Sequence, residues 1–120
     1  MVFQTEVPFT LPKGYMDSDG VLHKDGIMRL ATAADEILPL KDPRVQANPA
    51  YLAIIVLSRV ISRLGAVPDI NAKVVEGLFA ADLNYLQSLY EQLNSETPND
   101  TQPIGITNGY AEGFGMLGEA

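Results

Sequence analysis

The feature that most constrains the fold is the apolar stretch that runs from Asn48 to Gly65. Asn48 can accept hydrogen bonds from the free N–H groups of a helix start, and Pro49 suits the first helical position, where a missing N–H costs nothing. Gly65 favours the left-handed backbone that ends helices. The stretch therefore predicts one central helix as far as Leu64. From Tyr51 to Leu57 it is apolar on all sides, so it must be covered from more than one direction.

Composition narrows the classes of protein that this chain can belong to. Its 120 residues suffice for one domain with a modest core. It has no cysteine, which excludes disulfides and thiolate metal sites, and its net charge of −7 argues against a nucleic-acid partner. Residues 1–9 lack the basic region and apolar run of a signal peptide, and the run Leu52–Leu57 is far shorter than the ~20 residues that span a bilayer. We expect a cytoplasmic protein with no membrane partner.

Turn-forming residues divide the N-terminal third into short strands. Glu6–Leu11 predicts a strand, and Pro8 places it at a sheet edge because proline cannot donate to a ladder. Asp17–Gly20 is a strong hairpin-turn signal, since Asp and Gly tolerate a positive φ. Val21–Leu30 is interpreted as two strand pieces separated by a second turn at Lys24–Gly26. The pattern predicts a small β-hairpin or meander that must lie against something apolar.

Polar caps and prolines predict further helices on both sides of the central one. Thr32 can cap a short helix that Pro39 stops, and Asp42-Pro43 repeats the cap-plus-proline signature for about one turn. Asn71 can cap a later helix, and Asp82–Leu93 is the clearest amphipathic segment. The pattern does not decide whether these last two helices are continuous. The predicted fold class is α+β: an N-terminal β-hairpin or meander followed by a bundle of about three to four helices.

The amino-acid composition of the chain changes after Asn94. Residues 95–120 contain no Lys or Arg, are dense in Gly, Pro, Asn and Thr, and show no helical or alternating period. The sequence therefore predicts one α+β domain over residues 1–94 and a disordered acidic tail over residues 95–120. Apolar residues are scattered through this tail. They fit either incidental hydrophobes of a solvated segment or a docking peptide that orders on a partner.

No motif brings together groups that would catalyse a reaction or bind a ligand. Gly113–Gly118 matches the dinucleotide-binding glycine pattern but lacks the strand before it and the helix after it that this chemistry needs. Asp17–Gly20 lacks the first ligand and the closing glutamate of a calcium loop, so a turn is the better interpretation. His23, the only histidine, has no nucleophile partner and is predicted to be an ordinary surface residue. We expect no enzyme, no cofactor and no metal site.

Two arginines of the central stretch are candidates for structural ion pairs. Arg59 and Arg63 are spaced i and i+4, which places them on one face of the predicted helix, where they cannot pair with each other. Their predicted partners are the carboxylates of Asp35, Glu36 and Asp82. The alternative is an interface patch for an acidic partner, and we favour the structural interpretation because paired arginines mostly join elements of one fold.

The order of these pieces resembles a known family. The segments FTLPKGYMDSDGVLHKDGIMRLATAADEI, DPRVQANPAYLAIIVLSRVISRLG and VVEGLFAADLNYLQSLYEQLN are similar to the tail assembly proteins, or tail assembly chaperones, of contractile-tailed phages and phage-tail-like contractile injection systems. The resemblance covers residues 6–94. It implies a non-enzymatic assembly factor that holds the long tape-measure protein and brings tube subunits to it before the sheath forms. A homo-oligomer would also be compatible with it.

The resemblance implies that excess apolar helical surface shields segments of this client. The residues proposed to face the client are Leu52, Ile55, Val56, Leu86, Tyr90 and Leu93. From the residues alone, the apolar face of the last helix is core by default, with a helix-in-groove surface as the alternative. A second function, from a different class, is a structural subunit retained in the baseplate or tail terminus of a contractile injection particle.

Overall fold

The computed structural model describes residues 5–95, which form a three-stranded antiparallel sheet and five α-helices, with the third strand between the third and fourth helices. The strands are β1 (Glu6–Met16), β2 (Leu22–Arg29) and β3 (Ile61–Leu64), and the α-helices are α1 (Ala33–Ile37), α2 (Pro43–Ala47), α3 (Leu52–Val60), α4 (Ala72–Glu76) and α5 (Ala80–Leu93). Short 3₁₀ turns occupy Leu38–Lys41 and Pro49–Tyr51. This confirms the α+β class, with an N-terminal β-hairpin followed by helices and one further strand that completes the sheet.

Contacts within the chain divide it into two units after Tyr90. The structure describes residues 5–90 of the first unit. Of the second it describes only residues 91–95, which contain the end of α5. The tail predicted over residues 95–120 therefore lies outside the described residues, apart from Ser95.

The predicted hairpin joins β1 to β2. The Asp17 carboxylate accepts the N–H groups of Asp19 at 2.8 Å and Val21 at 2.9 Å, and Gly20 has a φ of 81°. The side chain of the first turn residue thus fixes the turn while glycine supplies its positive φ. Strand order is β1-β2-β3, so β1 is an edge strand and Pro8 lies at an edge as predicted.

The second turn predicted at Lys24–Gly26 is wrong, because β2 runs through these residues without a break. Gly26 pairs with Phe9 of β1 on one side and Leu64 of β3 on the other. A Cβ added at Gly26 would lie 2.4 Å from both the Arg63 carbonyl oxygen and the Phe9 ring. The glycine is therefore needed for the close approach of its two neighbours, a common use of glycine inside a strand.

The predicted central helix is shorter than expected. Asn48 accepts the Ala50 N–H at 3.1 Å, which confirms the cap, but α3 ends at Val60. Residues Ile61–Leu64 form β3 instead of continuing the helix, and Gly65, with a φ of 54°, follows a strand. Pairing with β2 satisfies the backbone of this segment and buries both of its apolar ends. That tertiary gain overrides the helical spacing of the sequence.

A bulge in β1 explains how α5 is attached to the sheet. Thr10 pairs with Asp25 and Tyr15 with His23, so four residues of β1 lie opposite a single residue of β2. The Asp82 carboxylate, in the first turn of α5, accepts the N–H groups of Lys13 and Gly14 of this bulge, each at 2.8 Å. These two donors belong to bulge residues that have no partner in the β1–β2 register, and Asp82 satisfies them.

The last two predicted helices are not continuous: α4 and α5 are separate helices. Asn71 accepts the Val74 N–H at 3.1 Å and caps α4, which ends at Glu76. Residues 77–79 separate it from α5.

Buried apolar side chains cover the central helix, and one cluster among them joins Val45, Ile55 and Ala72. Val56, Leu57 and Val60 of α3 are fully buried, with a relative exposure of 0%. Further buried apolar side chains come from all three strands and from α4 and α5: Phe9, Leu11, Met28, Ile61, Leu64, Val74, Val75, Leu86 and Tyr90. Within this core, the Phe9 ring packs edge-on against Tyr85 at 6.5 Å between centroids. The chain therefore covers its own apolar helix without a partner.

Candidate functional site

A buried carboxylate joins β2, α1 and α3. Asp35, 2% exposed, accepts two hydrogen bonds from the Arg29 guanidinium at 2.7 and 3.0 Å and one from Arg59 Nε at 3.0 Å. It also accepts the Thr32 N–H at 2.7 Å, which caps α1. Chiefly because of the Arg29 guanidinium, the pKa of Asp35 lies far below its usual value. The predicted contact between Arg59 and Asp35 is therefore present, and Arg29 is a partner that sequence analysis missed.

The other predicted members of ion pairs have different roles. Glu36 accepts a hydrogen bond from the Tyr90 hydroxyl, and Asp82 binds backbone N–H groups, so neither is placed as a partner of the arginines. Arg63 lies on β3 opposite Ile27 and forms no ion pair within residues 5–95. The prediction for Arg63 was wrong because the chain leaves its helix after Val60, which removes Arg63 from the face that carries Arg59.

His23 is buried, which corrects its assignment as a surface histidine. It is 7% exposed and its ring stacks on Tyr15 at 6.4 Å between centroids. The Ala66 N–H donates to Nδ1 at 3.2 Å, so in the neutral ring Nε2 carries the hydrogen and donates to Asp17 at 2.8 Å. A Cβ at Gly65 would lie 2.3 Å from Nδ1, so only glycine leaves room for the ring.

This histidine therefore has a structural role. It joins the hairpin turn to the residues that follow β3 through a hydrogen bond at each ring nitrogen. The hydrogen bond from His23 is the main reason why the pKa of Asp17 lies below its usual value. An ionised Asp17 in turn accepts the two N–H groups that fix the hairpin turn.

Most residues proposed to face the client are needed for the core. Ile55, Val56, Leu86 and Tyr90 are between 0% and 7% exposed, and Leu52 and Leu93 are half-buried. Four of the six therefore cannot form a docking surface in this fold, because exposing them would remove the apolar burial that holds α3 and α5 in place. Core, the default interpretation of the last helix, is what the structure shows for Leu86 and Tyr90.

Large apolar side chains are exposed at two other places in residues 5–95. Around the hairpin turn, Met16, Val21 and Leu22 are 46–50% exposed, and we call these three the hairpin-end patch. At the end of α1 and in the 3₁₀ turn that follows it, three large apolar side chains are 46–56% exposed, and we call them the helix-end patch: Ile37, Leu38 and Leu40. Helical spacing of apolar residues does not predict either group. Apolar residues adjoining a strong turn were the available signal.

Phe79, 53% exposed, lies near the hairpin end. It is three residues before Asp82, which binds Gly14 in β1, and two residues after Gly77, where an added Cβ would lie 3.2 Å from the Tyr15 ring. The loop that carries Phe79 is therefore held against the same end of β1 as the hairpin-end patch.

Comparison of the chain with protein-family models, with curated proteins and with solved structures finds no match. Within residues 5–95, no helix is long and apolar enough to cross a membrane. In the same part of the chain, no three His, Asp or Glu side chains are grouped so that they could hold a metal ion. The candidate functional surface consists of the exposed apolar side chains of the two patches.

Proposed function

We propose that this chain is a non-enzymatic, cytoplasmic assembly protein of the phage-tail type, which binds the tape-measure protein and recruits tube subunits to it during tail assembly. The observation that carries the proposal is the exposure of two apolar patches on a fold that covers its own central helix. Contiguous exposed apolar side chains on a soluble domain mark sites where other proteins bind. The resemblance of residues 6–94 to tail assembly proteins supplies the identity of the partner.

The size of the patches favours a transient partner over a permanent one. Burying a large apolar side chain completely contributes about 1.5–3 kcal/mol, so each half-exposed residue can add only about 1 kcal/mol on binding. Three such residues per patch therefore contribute only a small net free energy of binding once the cost of association is subtracted. Obligate interfaces bury far more apolar surface. A factor that holds a client and then releases it fits this balance better than a subunit retained in the particle.

The partition of the chain between particles and lysate tests this proposal. Mass spectrometry would quantify the chain in purified particles and in the soluble lysate of the producing cell, with a tube subunit as reference. We expect the chain in the lysate and at far less than one copy per ring of tube subunits in the particles. Stoichiometric presence in particles would contradict the proposal and indicate a structural subunit.

A further inference from the structure

We propose that His23 is a pH-sensitive latch: its neutral ring holds the linking segment, residues 66–71 between β3 and α4, against β2, and uptake of a proton releases that segment. The two ring nitrogens have opposite roles. The Ala66 N–H donates to Nδ1 at 3.2 Å, whereas Nε2 donates to the Asp17 carboxylate at 2.8 Å. Only a neutral ring that carries its hydrogen on Nε2 can make both bonds with an ionised Asp17.

Proton uptake breaks one of these two hydrogen bonds and strengthens the other. The added proton goes to Nδ1, because Nε2 already carries a hydrogen. Nδ1 then becomes a donor that faces a second donor, the Ala66 N–H, so this hydrogen bond is lost. On the other side of the ring, the contact between Nε2 and Asp17 becomes a charge-assisted hydrogen bond. The linking segment is therefore released while the hairpin turn stays closed.

Close packing prevents the new donor from being satisfied in place. His23 is buried, and a Cβ added at Gly65 would lie 2.3 Å from Nδ1, so the chain lies directly against this side of the ring. A buried N–H without an acceptor is unfavourable, and water reaches Nδ1 only when the chain beside it moves away. Gly65 is itself held to β2 by its N–H, which donates to the Asp25 carbonyl oxygen at 2.7 Å. The release therefore begins at Ala66.

The groups that contact the ring from other elements include one charge. From the hairpin turn, Asp17 faces Nε2, and the hydrogen bond from His23 is the main reason why the pKa of Asp17 lies below its usual value. Asp17 therefore stays ionised where histidines titrate, and it favours the protonated ring. From β1, the stacked neighbour is the Tyr15 ring. From the chain after β3, the neighbours are Gly65 and Ala66, which carry no side-chain charge.

The charged neighbours of His23 along β2 itself do not form ion pairs with it. Lys24 alternates to the opposite face of the strand, where its side chain lies beside Gly14. Asp25 shares the face of His23, but its carboxylate accepts the Thr10 hydroxyl at 2.9 Å. Within residues 5–95, the ion pair found for His23 is the one with Asp17. The loss of the Ala66 hydrogen bond is therefore the local event that opposes protonation.

NMR spectroscopy of the full chain tests the proposal over about pH 8 to 5.5, the range in which an accessible histidine gains its proton. The ¹⁵N chemical shifts of the ring report the tautomer and the protonation of His23. Hydrogen exchange at the Ala66 N–H, corrected for the intrinsic rate at each pH, reports the latch. The Val21 N–H is the matched control, because its acceptor is Asp17, at the end of the latch that protonation strengthens.

Two variants identify the group that titrates. His23→Gln removes the only histidine and keeps a polar side chain. Desolvation raises the pKa of Glu91 in α5, so a pH effect of that carboxyl would persist in His23→Gln and disappear in Glu91→Gln. Thermal denaturation verifies that each variant is folded. If His23→Gln is not folded, the ring and Ala66 signals of the unmodified chain, together with Glu91→Gln, decide the outcome.

We expect the ring to carry its hydrogen on Nε2 at the upper end of this pH range and to be protonated at the lower end. Over the same change, protection of the Ala66 N–H should fall at least tenfold and that of Val21 should change less than twofold. The fall should persist in Glu91→Gln and disappear in His23→Gln. A ring that stays neutral, a protonated ring with unchanged protection at Ala66, an equal loss at Val21, or a fall that persists in His23→Gln would overturn the proposal. The test involves no client, so its failure is distinguishable from failure of the proposed function.

Discussion

At the scale of single residues, the fold depends on buried carboxylates such as that of Asp35, whose two oxygens both accept hydrogen bonds. Asp35 is nearly inaccessible to water and is held by two guanidinium groups and a helix cap, so its pKa lies well below that of an exposed aspartate. A carboxyl whose folded-state pKa is depressed stabilises the fold at all pH values above its unfolded-state pKa, near 4. This contribution is lost progressively as the pH falls from there towards the folded-state pKa.

Asp35→Asn tests this linkage. At pH 7 we expect the variant to lose about 3–5 kcal/mol of unfolding free energy, because two arginines are left beside an uncharged buried group. The difference from the unmodified chain should narrow as the pH is lowered from 5 to 2, and urea denaturation at several pH values measures it. Asp19→Asn, at an exposed carboxylate of the hairpin turn, is the control and should change stability by less than about 0.5 kcal/mol. A difference that stays constant with pH would contradict the assignment.

At the scale of elements, the sheet depends on close approach at one glycine. A Cβ at Gly26 would lie 2.4 Å from a backbone oxygen of β3, whereas at Gly77 the nearest atom is 3.2 Å away, in the ring of Tyr15. Neither glycine has a positive φ, so the two sites differ mainly in the space available. We expect Gly26→Ala to lower the free energy of unfolding by about 3 kcal/mol and Gly77→Ala by less than about 1 kcal/mol. Similar losses in chemical denaturation would show that the packing of β3 against β2 is less tight than described.

Elements with local signals were predictable, and those that depend on distant partners were not. Asn48 and Asn71 mark helix starts because a cap acts on N–H groups a few residues away, and at Thr32 the backbone N–H donates to the Asp35 carboxylate three residues later. By contrast, Ile61 and Leu64 continue the helical spacing of α3, and only the free edge of β2 turns this segment into a strand. In the sequence, Gly26 favours a turn. Its role inside the strand is set by the close approach of Phe9 and Arg63, which are distant from it in the sequence.

The candidate site was the least predictable part for the same reason. Apolar periodicity identifies the residues that a helix must bury, so the segments chosen as client-facing included core residues such as Leu86. Burial of His23 likewise depends on Gly65 and Ala66, which lie more than 40 residues away.

At the scale of the whole molecule, the chain is acidic, and its residues 5–95 cover the central helix and leave two small apolar patches exposed. Within residues 5–95 the buried face of the central helix is covered by the chain itself, which suits the proposed factor that binds and releases a client. We propose that the client of this molecule is the tape-measure protein.

The most direct test is co-purification of the tape-measure protein with the affinity-tagged chain from the producing cell, quantified against an untagged control. We predict recovery well above the control with the unmodified chain, and at least a tenfold lower recovery with Met16→Thr/Leu22→Thr that is still folded. Recovery of the tape-measure protein no higher than in the untagged control would contradict the account.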